Sequence, residues 1–225
     1  MEQNKTRTYL LYAAGEILLV MVGILLALQV NNWNEQRKLS NLETELLIEI
    51  KSDLEVDSLR FSGTIKNLER LYQNADVLKK HMENDLPYHD SLDVYFSAIS
   101  FVFGAAAETA GFESLKNAGF LTVRSDSLRK DILNYYEYAL FVDSVTDQFD
   151  LAVYFRDRIY PTYFESFRWG VGAKPSDYNA LKKSNEFNIA LDYVRNDSRF
   201  YKRQYDLLFN SSIDLLKKIK NELKR

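Results

Sequence analysis

The chain opens on one uninterrupted apolar run, Tyr9 to Val30, which holds twelve Leu, Ile and Val residues and a single acid, Glu16. Each aliphatic side chain contributes roughly −0.3 to −0.6 kcal/mol to membrane insertion and a mid-helix acid costs roughly 3 kcal/mol, so insertion wins. The run has the ~20 residues needed to cross a hydrocarbon core, more than the ~7–15 of a cleavable signal. No small-x-small cleavage site follows, since the run ends Ala27-Leu28-Gln29-Val30-Asn31. The pattern predicts an uncleaved signal anchor with Tyr9, Tyr12 and Trp33 as interfacial rings. A buried helix of a soluble protein is the competing reading and fits the length less well.

Beyond the run, apolar residues recur in steps of three and four. Leu39, Leu42, Leu46, Ile50 and Leu54 are followed by Phe61, Ile65, Leu68, Tyr72 and Ala75, the spacing of one helix face. A long amphipathic helix, continuous with the anchor across Asn31 to Asn34, is expected to reach Asn84-Asp85-Leu86-Pro87, with Pro87 as its stop. Further helices are expected over Ser91 to Phe103, over Thr109 to Asn117 with Gly119 as the stop, and over Leu128 to Tyr160. Ser125 or Asp126 caps that third one and Pro161 closes it. Arg168 to Asn179, with Gly170, Gly172 and Pro175, reads as a loop. Ser184 to Lys224 reads as a last helical region broken near Asn196-Asp197-Ser198. No segment alternates at period two, so almost no sheet is expected. The prediction is an all-α chain: residues 1–34 form an N-terminal tail and transmembrane anchor, and residues 35–225 form an extramembrane bundle of about four main, mostly long helices.

Composition narrows the classes. A net charge of −3 with mixed signs gives no reason to expect a nucleic-acid partner. There are no cysteines, which removes disulfides, thiol nucleophiles, iron–sulfur clusters and cysteine zinc sites. Only 8 Gly and 3 Pro punctuate the chain, in keeping with few, long helices.

Two stretches carry a resemblance. Tyr12-Ala13-Ala14-Gly15-Glu16-Ile17, Gly23-Ile24-Leu25 and Ala27 through Glu35 (ALQVNNWNE) form the first. Phe112-Glu113-Ser114-Leu115-Lys116-Asn117-Ala118-Gly119, then Leu128-Arg129 and Tyr135-Tyr136, form the second. Together they resemble an uncharacterised bacterial single-pass membrane-protein family, a domain of unknown function, whose second block begins with Tyr where this chain has Phe112. Members of that family carry a longer basic N-terminus. The resemblance therefore implies a bacterial inner-membrane protein with a cytoplasmic N-terminus and a periplasmic domain; Lys5 and Arg7 are nearly matched by Arg37 and Lys38, and with the short N-terminal tail and its amine they give a weak lean the same way. It brings no catalytic residues.

Candidate sites follow from position. At about 100° per residue, Tyr12, Val20, Gly23 and Ala27 lie within about 40° of Glu16 on one helix face. Gly23-x-x-x-Ala27 is a small-xxx-small pair that admits close helix approach. This face is the expected helix–helix contact in the membrane, joining copies of the chain or other membrane proteins, with Glu16 buried because an exposed charge there is expensive. At the other end Lys217, Lys218, Lys220, Lys224 and Arg225 crowd one tail. They are read either as a contact with anionic lipid headgroups or as favourable charge at a helix C-terminus.

Catalytic signals are weak, and no cofactor, metal or catalytic residue is assigned. His81, Glu83, Asp85, His89 and Asp90 have ligand chemistry but no tight motif, and a solvated turn is the simpler reading. Neither G-x-S-x-G nor a phosphate loop occurs. Glu43 and Glu45, and Asp53, Glu55 and Asp57, read as a solvated face. Tyr135, Tyr136, Tyr138, Phe141, Phe149, Tyr154, Phe155, Tyr160, Tyr163, Phe164, Phe167 and Trp169 crowd one region, as core or as pocket, beside Arg156, Asp157 and Arg158. A self-associating membrane-anchored scaffold is the expectation, with a ligand-sensing or solute-binding bundle as the alternative.

Overall fold

The computed structural model describes residues 3–100, 104–146 and 151–224, with side chains from Gly15 onward. The side chains of Lys5, Arg7, Tyr9 and Tyr12, and residues Phe103, Phe149 and Arg225, lie outside that set. Helix α1 runs unbroken over Gln3–Glu83, 81 residues and about 120 Å, with no interruption at Asn31 to Asn34. It contains a window long and apolar enough to cross a membrane, none of it buried. Its end is built by left-handed Asp85 (φ 52). The Leu86 amide bonds the His81 carbonyl at 3.1 Å and the Asp85 amide that of Met82 at 3.1 Å, the paired bonds of a Schellman cap. Pro87 therefore follows a helix that has already stopped.

The rest of the described chain packs along the later part of α1. Helices α2 (Leu92–Ala98), α3 (Ala110–Ala118) and α4 (Asp126–Thr146) are followed by α5 (Leu151–Tyr154), a π turn (Phe155–Ile159) and α6 (Tyr160–Tyr163). A hairpin of β1 (Phe164–Arg168) and β2 (Gly172–Pro175), then α7 (Tyr178–Lys183) and α8 (Asn185–Glu222), complete the chain. Among the described residues the regular elements are helical apart from this small two-stranded sheet.

The organising contact is α1 against α8. Lys79 pairs with Asp192 at 2.9 Å, Asp76 with Arg195 at 2.8 Å and Glu55 with Lys220 at 3.0 Å, so the helices are antiparallel. Buried positions on α1 step Leu47, Ile50, Leu54, Asp57, Phe61, Thr64, Leu68, Leu71, Ala75, Leu78, Met82. Those on α8 step Phe187, Leu191, Val194, Ser198, Tyr201, Tyr205, Leu208, Ser212, Leu215, Ile219. Both alternate three and four, the seam of an antiparallel coiled coil. One core lies around Leu46 to Leu68 with α3, α4 and the later half of α8, and a second around Leu71 to Met82 with α2, the hairpin and the earlier half of α8.

Several boundaries differ from expectation for local physical reasons. α8 is unbroken at Asn196-Asp197-Ser198, because Ser198 is buried on the seam and its hydroxyl donates to the Val194 carbonyl. The second helix stops at Ala98. The stretch expected as one helix from Leu128 to Tyr160 is helical over α4 and again from Leu151 to Tyr163, with 147–150 outside the described residues. Pro161 sits inside its last turn rather than closing it; the preceding π turn accommodates the register. The expected loop from Arg168 to Asn179 instead holds the hairpin turn, strand β2 and the start of α7; in the turn Gly170 takes φ 66 and the Val171 amide bonds the Arg168 carbonyl at 3.0 Å. Ser125 caps α4 as expected, accepting from the Leu128 amide, and Ser184 caps α8, accepting from the Phe187 amide.

Candidate functional site

From Gly15 to Val30 no described residue packs on the membrane-type segment of α1. Every large apolar side chain from Ile17 to Val30 is exposed, and a Cβ added at Gly15 or Gly23 would meet no atom within 4 Å. Glu16, Ile17, Val20 and Met21 line a shallow groove. At about 100° per residue, the face carrying Glu16, Val20, Gly23 and Ala27 points about 170° away from Leu47, Ile50 and Leu54, the residues that receive the bundle. The face predicted for helix–helix contact is thus on the free back of the rod.

Two of the five basic tail residues pair within the domain. Lys218 pairs with Asp131 at 2.6 Å and Lys220 with Glu55 at 3.0 Å; Lys217 and Lys224 are exposed. Lys220 holds the Glu55 carboxyl below the usual carboxylate range, helped by Lys51. Antiparallel packing puts Lys220 at the height of Glu55, 25 residues and about 38 Å along α1 from Val30.

The least anticipated feature is a buried carboxylate clasp. Asp53 and Asp57, one turn apart on α1, were expected on a solvated face. Asp57 is instead fully buried and Asp53 half-buried. Asp57 accepts from the Tyr135 hydroxyl at 2.5 Å and from the Glu108 amide at 2.8 Å. Asp53 accepts from the Gly111 amide in the first turn of α3 at 2.7 Å, where a carboxylate also favours the positive helix end. Burial raises both carboxyls above their ordinary range; Glu108 and Glu49 add to this at Asp53, and Asp53 itself adds at Asp57. The donated hydrogen bonds pull the other way without cancelling it. Burial and the two aspartates also push the Tyr135 and Tyr136 phenols far up. The Tyr136 hydroxyl lies beside Asp53, buried without a partner at normal hydrogen-bond geometry.

Glu43, also expected in solvent, is buried and makes a second clasp lower on α1. It accepts from the Arg124 amide at 2.8 Å and from Arg124 Nε at 2.6 Å. Glu45 stays exposed and Glu55 pairs at the surface. The second sequence block now has a physical meaning. Gly111 lies so close to α1 that a Cβ would come within 2.6 Å of the Ile50 amide nitrogen. Phe112 stacks on Tyr136 with centroids 4.3 Å apart, Leu115 and Leu128 are buried, and Gly119 stops α3 at φ 91. Arg129 ties Val123 and Asp126 together.

The histidine turn does not converge. His81 Nε2 bonds the Pro87 carbonyl at 2.8 Å, His89 Nδ1 meets Ser91 at 3.0 Å, and Asp85 pairs with Lys182. Among the described residues no three His, Asp or Glu side chains gather as a metal site. The aromatic region divides: Tyr135 and Tyr136 belong to one core, Phe155, Tyr160 and Phe164 to the other, while Phe141, Tyr154, Phe167 and Trp169 are exposed. A cavity of about 480 Å³ is lined by Tyr160, Phe167, Trp169, Arg156 and Ser100 among others. Arg156 pairs with Asp157 at 2.6 Å, and Arg158 with Glu186 at 2.9 Å.

A family model with the description "Family of unknown function (DUF6090)" matches residues 16–160, from Glu16 through both clasps to the start of α6. No curated protein and no solved structure matches the chain.

Proposed function

We propose that this chain, which belongs to the DUF6090 family of unknown function, is a membrane-anchored helical scaffold that self-associates through α1. The carrying observation is the bare face of Glu16, Val20, Gly23 and Ala27, set opposite the side that holds the bundle. Two copies meeting there keep their bundles on the outside, clear of each other. In this reading the apolar run spans a bacterial inner membrane with the N-terminus cytoplasmic and the clasped bundle periplasmic. The partners are the bilayer and copies of the chain or other membrane proteins. We infer no catalytic step, cofactor or nucleic-acid partner.

The test is the copy number of the full chain in mild detergent, by light scattering and cross-linking mass spectrometry. A fixed oligomer is expected. Glu16→Leu removes a polar contact worth about 1–2 kcal/mol between membrane helices, so it weakens association roughly 5- to 30-fold. A monomer, or an oligomer unchanged in Glu16→Leu, refutes the proposal. The cavity beside Trp169, within the ~300–1,000 Å³ range of ligand sites, favours a second reading as a ligand-sensing bundle. Thermal stabilisation by one class of small molecule would select it.

A further inference from the structure

Two departures from regular backbone build the cavity of about 480 Å³ beside Trp169. The π turn over Phe155–Ile159 brings Arg156 to its wall, and single π turns recur at functional sites. In the hairpin the register shifts between Phe164 and Ser166, so that Phe167 pairs with Ala173. Unbroken alternation from Phe164 would turn Phe167 to the opposite face of the sheet. The bulge returns it to the Phe164 side, where its ring meets that of Tyr160 with centroids 4.1 Å apart. The Tyr160 hydroxyl donates to the Phe96 carbonyl at 2.8 Å, which fixes that ring as the cavity floor. Phe167 and Trp169 nevertheless remain 43 % and 55 % exposed, so the core does not use these ring faces.

We propose that this cavity binds an aromatic carboxylate, with the ligand's ring against Phe167 and Trp169 and its carboxylate on Arg156. The inference rests on the ligand-binding reading of the cavity and not on association through α1. The lining sets the chemical class. Ala152, Val153, Phe167 and Trp169 offer an apolar wall to a flat apolar body. Arg156 is the one charged side chain among the described residues that line the cavity. Guanidinium and indole groups donate hydrogen bonds and accept none, so the ligand must supply acceptors. Rings grouped in this way would otherwise suit an organic cation, but the guanidinium repels one and no carboxylate in the lining offsets it. Asp157 pairs with Arg156 at 2.6 Å, both partners being exposed. Exposed pairs of this kind contribute little, so a carboxylate seated against the rings displaces Asp157.

The test is calorimetric titration of the full chain in lipid nanodiscs with three probes of one shape: naphthoate, the neutral naphthamide and the cation naphthylmethylammonium. Naphthoate is expected to bind saturably at one site per chain, and the other two about ten-fold or more weakly. Arg156→Gln should weaken naphthoate about ten-fold and leave naphthamide unchanged. Asp157→Asn, which removes the competitor, should tighten naphthoate by up to about five-fold. Ala152→Phe fills the cavity from a half-buried position and should abolish binding with the circular dichroism spectrum retained. Arg199→Gln, at a different cavity, should change nothing. Equal or tighter binding of naphthamide or the ammonium probe, or no effect of Arg156→Gln, overturns the carboxylate class and leaves a ligand-binding bundle standing. Saturable binding by none of the three probes overturns the inference and the ligand-binding reading together, and leaves association through α1 untouched.

Discussion

The same substitution, glycine to alanine, is expected to have opposite signs at two positions. Gly111 lies in the first turn of α3, and its Cβ would sit 2.6, 2.8 and 2.9 Å from backbone atoms of Ile50 and Glu49. Those atoms belong to the coiled-coil core and cannot rotate aside. α3 must therefore move off α1, at about 1–3 kcal/mol for overpacking. The movement also loosens the Asp53 to Gly111 hydrogen bond of 2.7 Å, a charge-assisted bond worth about 1.5–3 kcal/mol. Better helix propensity returns at most about 1 kcal/mol. Gly111→Ala should thus destabilise the domain by about 2–4 kcal/mol, roughly 4–16 °C in Tm at about 2–4 °C per kcal/mol. Gly63→Ala, mid-helix in open space, should stabilise it by about 0.5–1 kcal/mol. Urea unfolding of both variants in the same detergent, followed by circular dichroism, checks this. A change below 0.5 kcal/mol at Gly111, or destabilisation at Gly63, would refute the close-approach reasoning.

The clasp makes two further predictions. Tyr135→Phe leaves Asp57 one donor short in a buried site and should cost about 1–3 kcal/mol, while Tyr136→Phe, whose hydroxyl has no well-formed bond, should stay within about 0.5 kcal/mol; parallel urea titrations decide, and equal losses would contradict the assignment. Because burial raises the Asp57 carboxyl above its ordinary value of 3.8, the native state binds more protons than the unfolded state between 3.8 and the raised value. The stability difference between wild type and Asp57→Asn should therefore shift in favour of wild type as pH falls from 7 toward 4, the reverse of an ion-paired carboxylate such as Asp76, held low by Lys80 and Arg195. A shift in the other direction would show that Asp57 is not desolvated.

The apolar run, the unbroken α1, the cap at Ser125 and the stop at Gly119 were legible because each rests on neighbouring residues. The seam with α8 was harder to see. Asp57, Thr64, Ser198 and Ser212 occupy buried seam positions, so a rule that looks for apolar residues loses the register. Ser198 in particular makes Asn196-Asp197-Ser198 resemble a break until its hydroxyl is found bonding one turn back. Asp53 and Asp57 looked solvated since their partners lie 51, 58 and 78 residues away. The hairpin lacked alternation: β1 has one buried residue and four exposed ones. The candidate association face was readable in outline from Glu16, Gly23 and Ala27. That it lies on the back of α1 required knowing which side the bundle takes.

The antiparallel seam also sets an order of events during synthesis. By the register of the Glu55–Lys220 pair, Ile50 meets the end of α8, around Ile219 and Leu223, only after some 170 further residues have been made. At about 5–20 residues per second that is roughly 9–34 seconds. Throughout that interval the apolar edge of α1 lacks α8, and α2 and then the α3–α4 clasp are the first elements able to cover parts of it. The bundle is consequently closed by its most distant segment. The two carboxylates that hold α3 against α1 do their work before that closure as well as after it, as a temporary cover for a helix whose permanent mate has yet to arrive.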